Sequence, residues 1–181
     1  MALLYPYEGK TPRIHPTAWV ADNAVVIGDV DIGPEASVWF GCTLRGDVGG
    51  IRVGARTNIQ DGTVVHATFG VSSTDVGEDV TVGHAVVLHG CFVRDRALIG
   101  MGAIVLDQAD IGAESVVGAG SLVTARTIVP PRKMVLGRPA KITRDVTEAE
   151  AKLGLEGAVH YVESARRYRG ISAIGTTTGP R

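Results

Sequence analysis

The sequence contains few of the residues that build several common kinds of protein. Aromatic residues make up only 5% of its 181 residues, which argues against an aromatic-rich β-sandwich and requires a core of small aliphatic side chains. Two cysteines, Cys42 and Cys91, cannot form a disulfide framework. Both lie among small and apolar residues, so we expect buried thiols, with metal ligation as the alternative.

An excess of charge of one sign and a long apolar run are also missing. With 18 basic and 19 acidic residues, the net charge is -1, which gives no electrostatic footprint for nucleic acid or an anionic membrane. The opening stretch MALLYPYEGKTPRIHP has no long apolar run, so neither a secretion signal nor a spanning helix is expected. These features favour a cytoplasmic protein of one domain that binds neither nucleic acid nor membrane.

The sequence does contain a repeat of six residues. Thirteen of the sixteen steps between successive aliphatic positions are six residues long, which neither an α-helix nor a simple alternating strand produces. These positions are Val20, Val26, Ile32, Val38, Leu44, Val53, Ile59, Val65, Val76, Val82, Val87, Val93, Ile99, Val105, Ile111, Val117 and Val123. A small or β-branched residue follows four positions later, and glycine often follows directly, where a tight bend or close backbone approach requires a residue without Cβ. Short strands joined by such corners predict a parallel β-helix.

The pattern I-G-x-x-[AST]-x resembles the hexapeptide-repeat family. That resemblance implies an all-β fold, a left-handed parallel β-helix whose triangular coils use three hexads each. Seventeen hexads then correspond to about six coils. We expect an N-terminal cap, the β-helix, a connecting segment, an α-helix packed along the outside, and a tail, over residues 1–19, 20–129, 130–146, 147–169 and 170–181.

The C-terminal helix has a recognisable start. Thr147 opens the capping-box pattern T-E-A-E, in which the first and last side chains satisfy each other's backbone amides. Gly154 and Gly157 are positions where this helix can break.

Three histidines lie at interruptions of the repeat. The six-residue step breaks at residues 45–52, 66–75 and 82–87, and His66, His84 and His89 lie in or beside the last two. With three hexads to a coil, His66 and His89 fall on one face in adjacent coils, about 5 Å apart, whereas His84 falls on a different face. All three follow an inward aliphatic residue, so we expect them to project outward.

Outward-facing histidines on a flat wall cannot enclose an ion by themselves. A catalytic zinc takes three protein ligands and keeps an open position, and imidazoles also suit iron and cobalt. We therefore expect a homotrimer, in which the partner subunit's His84 joins His66 and His89 at each of three interfaces. The alternative for any single histidine is a solvated surface side chain.

Four motifs in order resemble the γ-class carbonic anhydrases and their bacterial homologues. They are LRGD at 44–47, NIQDG at 58–62, VVH at 64–66 and GHAVVLHG at 83–90. The resemblance implies that His66, His84 and His89 bind zinc, or alternatively iron or cobalt.

Further site residues follow from the same resemblance. It implies that Gln60 orients the attacking hydroxide or the substrate, and that Asn58 helps to position the substrate. It also implies polar contacts that join subunits or shape the site, made by Arg45, Asp47 and Asp61, for which the alternative is a surface ion pair. Tyr161 resembles a tyrosine near the site in relatives, with packing as its alternative.

The implied activity is the reversible hydration of carbon dioxide to bicarbonate. One departure bears on turnover, because well-known members of the class carry glutamates in an acidic loop that removes the proton, and Asp75 is the only carboxylate between residues 66 and 75. Two alternatives remain open: a coenzyme-A-dependent acyltransferase or thioesterase, which the G-R-P-A-K segment at 137–141 resembles, and a metal-binding scaffold without turnover.

Overall fold

The computed structural model describes residues 2–171, so the expected tail lies outside the described residues except at its start. Within that range the chain forms short β-strands, one 3₁₀ turn at Glu150–Lys152 and one α-helix, α1, at Leu153–Tyr168. The strands, β1 to β20 in chain order, are Leu3–Tyr5, Arg13–Ile14, Trp19–Val20, Val25–Ile32, Ser37–Val38, Thr43–Val53, Asn58–Ile59, Val64–His66, Thr74–Val76, Thr81–Val82, Val87–His89, Phe92–Val93, Leu98–Ile99, Ile104–Val105, Asp110–Ile111, Val116–Val117, Leu122–Val123, Ile128–Val129, Lys133–Gly137 and Ala140–Asp145.

The strands stack in parallel as the three faces of a solenoid. One face, here the helix face, is built from β3, β5, β7, β10, β13, β16 and β19. The long strands β4 and β6 bend around a corner, so the first half of β6 pairs with β8 and its second half pairs with β9. The histidine face therefore comprises β1, the first halves of β4 and β6, β8, β11, β14 and β17. The charged face comprises β2, the second halves of β4 and β6, β9, β12, β15 and β18.

The predicted parallel β-helix is confirmed, with one difference in its length. The solenoid has about seven turns where we expected about six, because β1 and β2 before the repeat and β18 and β19 after Val123 continue the winding at the two ends. Regular coils advance 18 residues between paired strands, as from Leu98 to Val116. Asn58 instead pairs with Thr81, 23 residues on, so the segment at 66–75 is an insertion at the surface of the solenoid.

The core is a set of aliphatic columns inside the three faces. Val26, Leu44, Val65 and Val105 have no exposed surface on the inner side of the histidine face. Cys42 and Cys91 are also buried, as expected. Burial raises the pKa of the Cys42 thiol to about 11 and that of Cys91 to about 12, so both remain protonated core residues at neutral pH.

The prediction was wrong at one inward position. Leu88, not Val87, has no exposed surface and pairs in register with the inward Val65. The step from Val82 to Leu88 is therefore a regular six residues, and the interruption expected at 82–87 lies instead between Leu88 and Val93. The larger Leu88 fills the interior, while Val87 faces outward beside the histidines.

The glycines that follow inward residues allow adjacent coils to approach closely. A Cβ on Gly100 would lie 2.5 Å from the backbone nitrogen of Ala119 in the next coil. The left-handed backbone conformation falls two positions later, at Gly102 with a φ of 67°. The first glycine of the corner, Gly100, is required by the close approach of the two coils. The second, Gly102, is required by the left-handed backbone of the bend.

Helix α1 covers the helix face and collects most of the aromatic residues. Trp19, Trp39, Phe40, Tyr161 and Tyr168 contact one another between α1 and β3 and β5. Neither Gly154 nor Gly157 interrupts α1. A Cβ on Gly154 would collide with the carbonyl group of Arg96, so glycine brings the helix backbone against the β-helix.

The helix is preceded by the expected capping contacts. The backbone N–H of Thr147 donates to the Glu150 carboxylate at 2.8 Å, and the backbone N–H of Glu150 donates to the Thr147 hydroxyl at 3.2 Å. No helix among the described residues combines the length and apolar character required to cross a bilayer.

Candidate metal centre

His66 and His89 lie side by side on the histidine face. Their backbones are paired between β8 and β11, which confirms the predicted stacking in adjacent coils. His66 Nδ1 lies 3.2 Å from His89 Nε2, and the ring centroids are 5.2 Å apart. The inward position of Leu88 explains this match, because each histidine directly follows an inward residue, Val65 or Leu88.

An aspartate holds the far side of each of these two rings. His66 Nε2 donates to Asp47 at 3.0 Å, and Asp47 also accepts a hydrogen bond from Arg45. His89 Nδ1 donates to Asp107 at 3.2 Å. Burial alone would raise the pKa of Asp47, but the hydrogen bonds from Arg45 and His66 outweigh it and hold that pKa below its usual value.

These contacts indicate which ring nitrogen of each histidine carries the proton. An ionised carboxylate only accepts hydrogen bonds, so the ring nitrogen beside it must carry the proton and the other nitrogen of a neutral ring carries a lone pair. The unprotonated nitrogens, His66 Nδ1 and His89 Nε2, therefore face each other at 3.2 Å, and the guanidinium group of Arg45 lies 3.4 Å from His66 Nδ1. Two imidazole nitrogens at this separation fit adjacent ligand positions of a divalent metal.

His84 lies at a different place, on the corner that follows β10. Its Nδ1 is 2.9 Å from an oxygen of Asp61, so it has the same kind of aspartate partner as the other two histidines. No cluster of three or more potential metal-ligating side chains exists within a single chain over residues 2–171. The three imidazoles are thus a donor set that fits a metal, but in one chain only His66 and His89 lie together, and His84 lies on a separate corner.

Gln60 and Asn58 lie at the edge of the helix face, close to His84 in the fold. The Gln60 amide donates to Asn58 at 3.0 Å, and Asn58 donates to the Thr81 hydroxyl at 3.0 Å. Thr81 in turn donates to the carbonyl oxygen of Gly154 in α1 at 2.8 Å. Asn58 is fully buried, whereas Gln60 and His84 both line a groove of about 450 Å³ that Met101 borders.

Tyr161 approaches this region from α1. Its ring meets that of Trp39 edge-on with centroids 5.0 Å apart. Burial, followed by the negative charge of Asp61, raises the pKa of Tyr161. Tyr161 therefore both packs in the aromatic cluster and lies within electrostatic reach of the aspartate that pairs with His84.

Asp75 and Asp107 differ in their position relative to the histidines. Asp75 lies on the charged face, where it pairs in register with Arg52 and Phe92, away from His66 and His89. Asp107 was missed by the sequence analysis. Strands β11 and β14 pair with an offset of 17 residues, so Asp107 lies one position beyond the residue in register with His89, and a regular 18-residue coil does not mark it.

Curated relatives resemble the chain over most of its length. It is 46% identical over 175 residues to a carbonic anhydrase of Geobacillus kaustophilus, an alignment that covers 97% of this chain and 96% of that protein. It is 44% identical over 162 residues to the mitochondrial gamma carbonic anhydrase 2 of Arabidopsis thaliana, covering 87% of this chain and 58% of the longer plant protein. No protein-family model matches the chain.

Solved structures share the fold. A hexapeptide transferase family protein from Anaplasma phagocytophilum is 45% identical, with a TM-score of 0.88 over 92% of this chain and 98% of that one. A perosamine N-acetyltransferase mutant from Caulobacter crescentus, solved with CoA and GDP-perosamine, is 29% identical with a TM-score of 0.54 over 74% of this chain and 57% of that one. With these matches and its paired histidines, the chain belongs to the γ-class carbonic anhydrase-like branch of the hexapeptide-repeat proteins.

Proposed function

We propose that this protein is a homotrimeric, metal-dependent enzyme that hydrates carbon dioxide reversibly to bicarbonate. The observation that carries the proposal is the pair of imidazole nitrogens, His66 Nδ1 and His89 Nε2, that face each other 3.2 Å apart. Zinc is the first choice of metal, with iron or cobalt as alternatives, because all three accept imidazole ligands. The curated relatives named carbonic anhydrase support the same reaction.

The three outer faces of the solenoid support the trimer. The helix face is covered by α1 over β5, β7 and β10. The charged face carries ion pairs between coils, such as Arg52 with Asp31 at 3.0 Å and Arg94 with Asp110 at 2.6 Å. The histidine face instead carries an outward column that is apolar except for Thr43, and no helix within residues 2–171 covers it. The column comprises Leu3, Val25, Thr43, Val64, Val87, Ile104 and Leu122.

This apolar column lies on the same face as His66 and His89, so burying it against a second copy would bring another subunit to the incomplete site. In the proposed trimer the partner subunit's His84 supplies the third imidazole. The closed ring then has three equivalent sites, one at each interface.

The residues around the metal position have distinct roles in this proposal. A bound metal supplies Lewis acidity that lets water lose a proton near neutral pH. Asp47 and Asp61 orient His66 and His84, and Arg45 holds Asp47 in place. Gln60 has its amide nitrogen engaged by Asn58, which leaves its carbonyl oxygen to accept a hydrogen bond from a hydroxyl group or water in the groove. Tyr161 closes the helix-side wall beside Asp61.

Carbon dioxide hydration tests the reaction directly. Protein purified without oxygen and loaded in turn with zinc, cobalt and iron should hydrate carbon dioxide in a stopped-flow assay. His89→Ala should abolish the metal-dependent rate, whereas His160→Ala, which removes an exposed imidazole on α1, should leave it unchanged. Metal-loaded wild-type protein without hydration would contradict the proposed reaction.

Mixed subunits test the shared site. His84→Ala and His89→Ala proteins should each lack bound metal, because each variant removes one ligand from every site. When the two are unfolded and refolded together, mixed trimers should regain some metal, since an intact His66–His89 pair then meets an intact His84 from another chain. Equal metal loss before and after mixing would show that the ligands do not come from two subunits.

Acyl transfer from coenzyme A is a second candidate, favoured by the resemblance to the Caulobacter transferase. The G-R-P-A-K segment lies at the hairpin between β19 and β20. Coenzyme A binding without stoichiometric metal would favour this reaction. A metal that raises the melting temperature without supporting either reaction would instead favour a scaffold.

A further inference from the structure

We infer that Asp107 is a positioning residue for the metal centre, joining His89 to the short loop at 67–73. The inference rests on the proposed metal site and adds a residue to it. Asp107 lies in the turn after β14, one coil beyond His89, and reaches back to the histidine face.

The Asp107 carboxylate accepts hydrogen bonds from three side chains. One oxygen accepts from the Ser72 hydroxyl at 2.6 Å. The other accepts from the Thr68 hydroxyl at 3.1 Å and from His89 Nδ1 at 3.2 Å. Three donors around one carboxylate leave it no freedom to turn, so the direction of the His89 ring is determined by the loop as well as by its own backbone.

Several further contacts make this loop a rigid support. The Ser72 hydroxyl also accepts from the backbone N–H of Thr68 at 3.1 Å, which closes the loop on itself. At its exit, the Thr74 hydroxyl donates to the carbonyl oxygen of His66 at 2.6 Å and accepts from the backbone N–H of Gly90 at 2.9 Å. The insertion therefore ties β8, β9 and β11 together around both histidines.

This geometry assigns a different task to the loop that lacks acidic residues. The hydroxyl groups of Thr68 and Ser72 point inward to Asp107, whereas Phe69 at the tip of the loop is 80% exposed. The loop and Asp107 act together to hold His89 Nδ1 as the donor, so that Nε2 faces His66 with its lone pair.

Metal affinity tests the assignment. Chelator competition with zinc and with cobalt, on the full-length protein, should show about a 10- to 100-fold loss of affinity in Asp107→Asn, because the partner that orients a metal-binding imidazole is removed. The visible absorption bands of the cobalt protein should also change, which general destabilisation would not cause. Ser72→Ala, which preserves the carboxylate, should cause a smaller loss in the same direction and serves if Asp107→Asn does not fold.

Asp110→Asn is the matched control. Asp110 has similar side-chain exposure, 28% against 26% for Asp107, and pairs with Arg94 on the charged face. Its substitution should leave metal affinity and the cobalt spectrum unchanged. If both Asp107→Asn and Ser72→Ala keep the wild-type affinity and spectrum, only the role of Asp107 is overturned and the proposed metal site is unaffected. Wild-type protein that takes up neither metal would overturn the metal site and, with it, this assignment.

Discussion

Single residues in this solenoid are placed mainly by their neighbours one coil away. His66 lies opposite His89, and Leu88 lies opposite Val65, because parallel strands stack with their residues in register. A shift of one residue would exchange inward and outward side chains. The position of Leu88 therefore determines both the local core and the direction of His89.

Substitutions in β11 test that register. Leu88→Ala should lower the free energy of unfolding by about 2–5 kcal/mol, since it leaves a cavity in a fully buried position. Val87→Ala, which removes an outward side chain, should have a much smaller effect. Denaturant unfolding at equal protein concentration measures both variants, and the reverse order would place Val87 inside.

Among the elements, α1 packs on the β-helix through a close backbone contact as well as through apolar side chains. Gly154 brings the helix backbone against the carbonyl group of Arg96, and the aromatic cluster fills the space between α1 and the first strands of the helix face. The hydrogen bond from Thr81 to Gly154 then connects α1 to Asn58 and Gln60. The position of the helix consequently affects the groove beside His84.

Gly154→Ala tests this attachment because two effects of the change have opposite signs. In a helix exposed to solvent, alanine in place of glycine favours folding by about 1 kcal/mol. Here the added Cβ meets backbone atoms that cannot move aside, so we expect destabilisation of about 1–3 kcal/mol. Tryptophan fluorescence during denaturant unfolding reports the change. Glu156→Ala, on the exposed side of α1, is the control, and stabilisation by Gly154→Ala would show that the helix is not closely packed.

The stability that the start of the helical segment contributes should depend on pH, because Glu150 is ionisable. Hydrogen bonds from Arg144, together with those from Thr147, lower the pKa of Glu150 from 4.5 to about 2. A lowered pKa in the folded state stabilises the protein above pH 4.5, and this contribution is lost as the pH falls from about 4.5 to about 2.

Thermal unfolding followed by circular dichroism measures that dependence. Wild-type protein should exceed Glu150→Gln in melting temperature at pH 7, and the difference should disappear as the pH approaches 2. A difference that stays constant across this range would mean that the charge of Glu150 does not stabilise the fold.

Within residues 2–171, one outer face is mainly apolar and is not covered by a helix. Of the three, only the histidine face has neither a covering helix nor arginine–carboxylate ion pairs between coils over these residues. Val64, on this face, is 40% exposed. The proposed assembly would bury this face and complete the metal centre in one step.

Val64→Asp should therefore separate assembly from folding. A charge in the buried interface should convert trimers to monomers in analytical ultracentrifugation, with loss of bound metal although every histidine remains. Ile128→Asp, on the exposed charged face, should remain trimeric and retain metal. Monomeric wild-type protein that binds stoichiometric metal would contradict the shared site.

The sequence alone determined the parallel β-helix, the outward pairing of His66 with His89 and the separate position of His84, because a six-residue period places every third hexad on the same face. It did not identify the inward residue at 87 and 88, since both are aliphatic and only pairing with Val65 distinguishes them. Nor did it reveal Asp107 or the role of Gly154 in packing the helix. Those depend on contacts between segments 18 or more residues apart, which only the tertiary structure brings together.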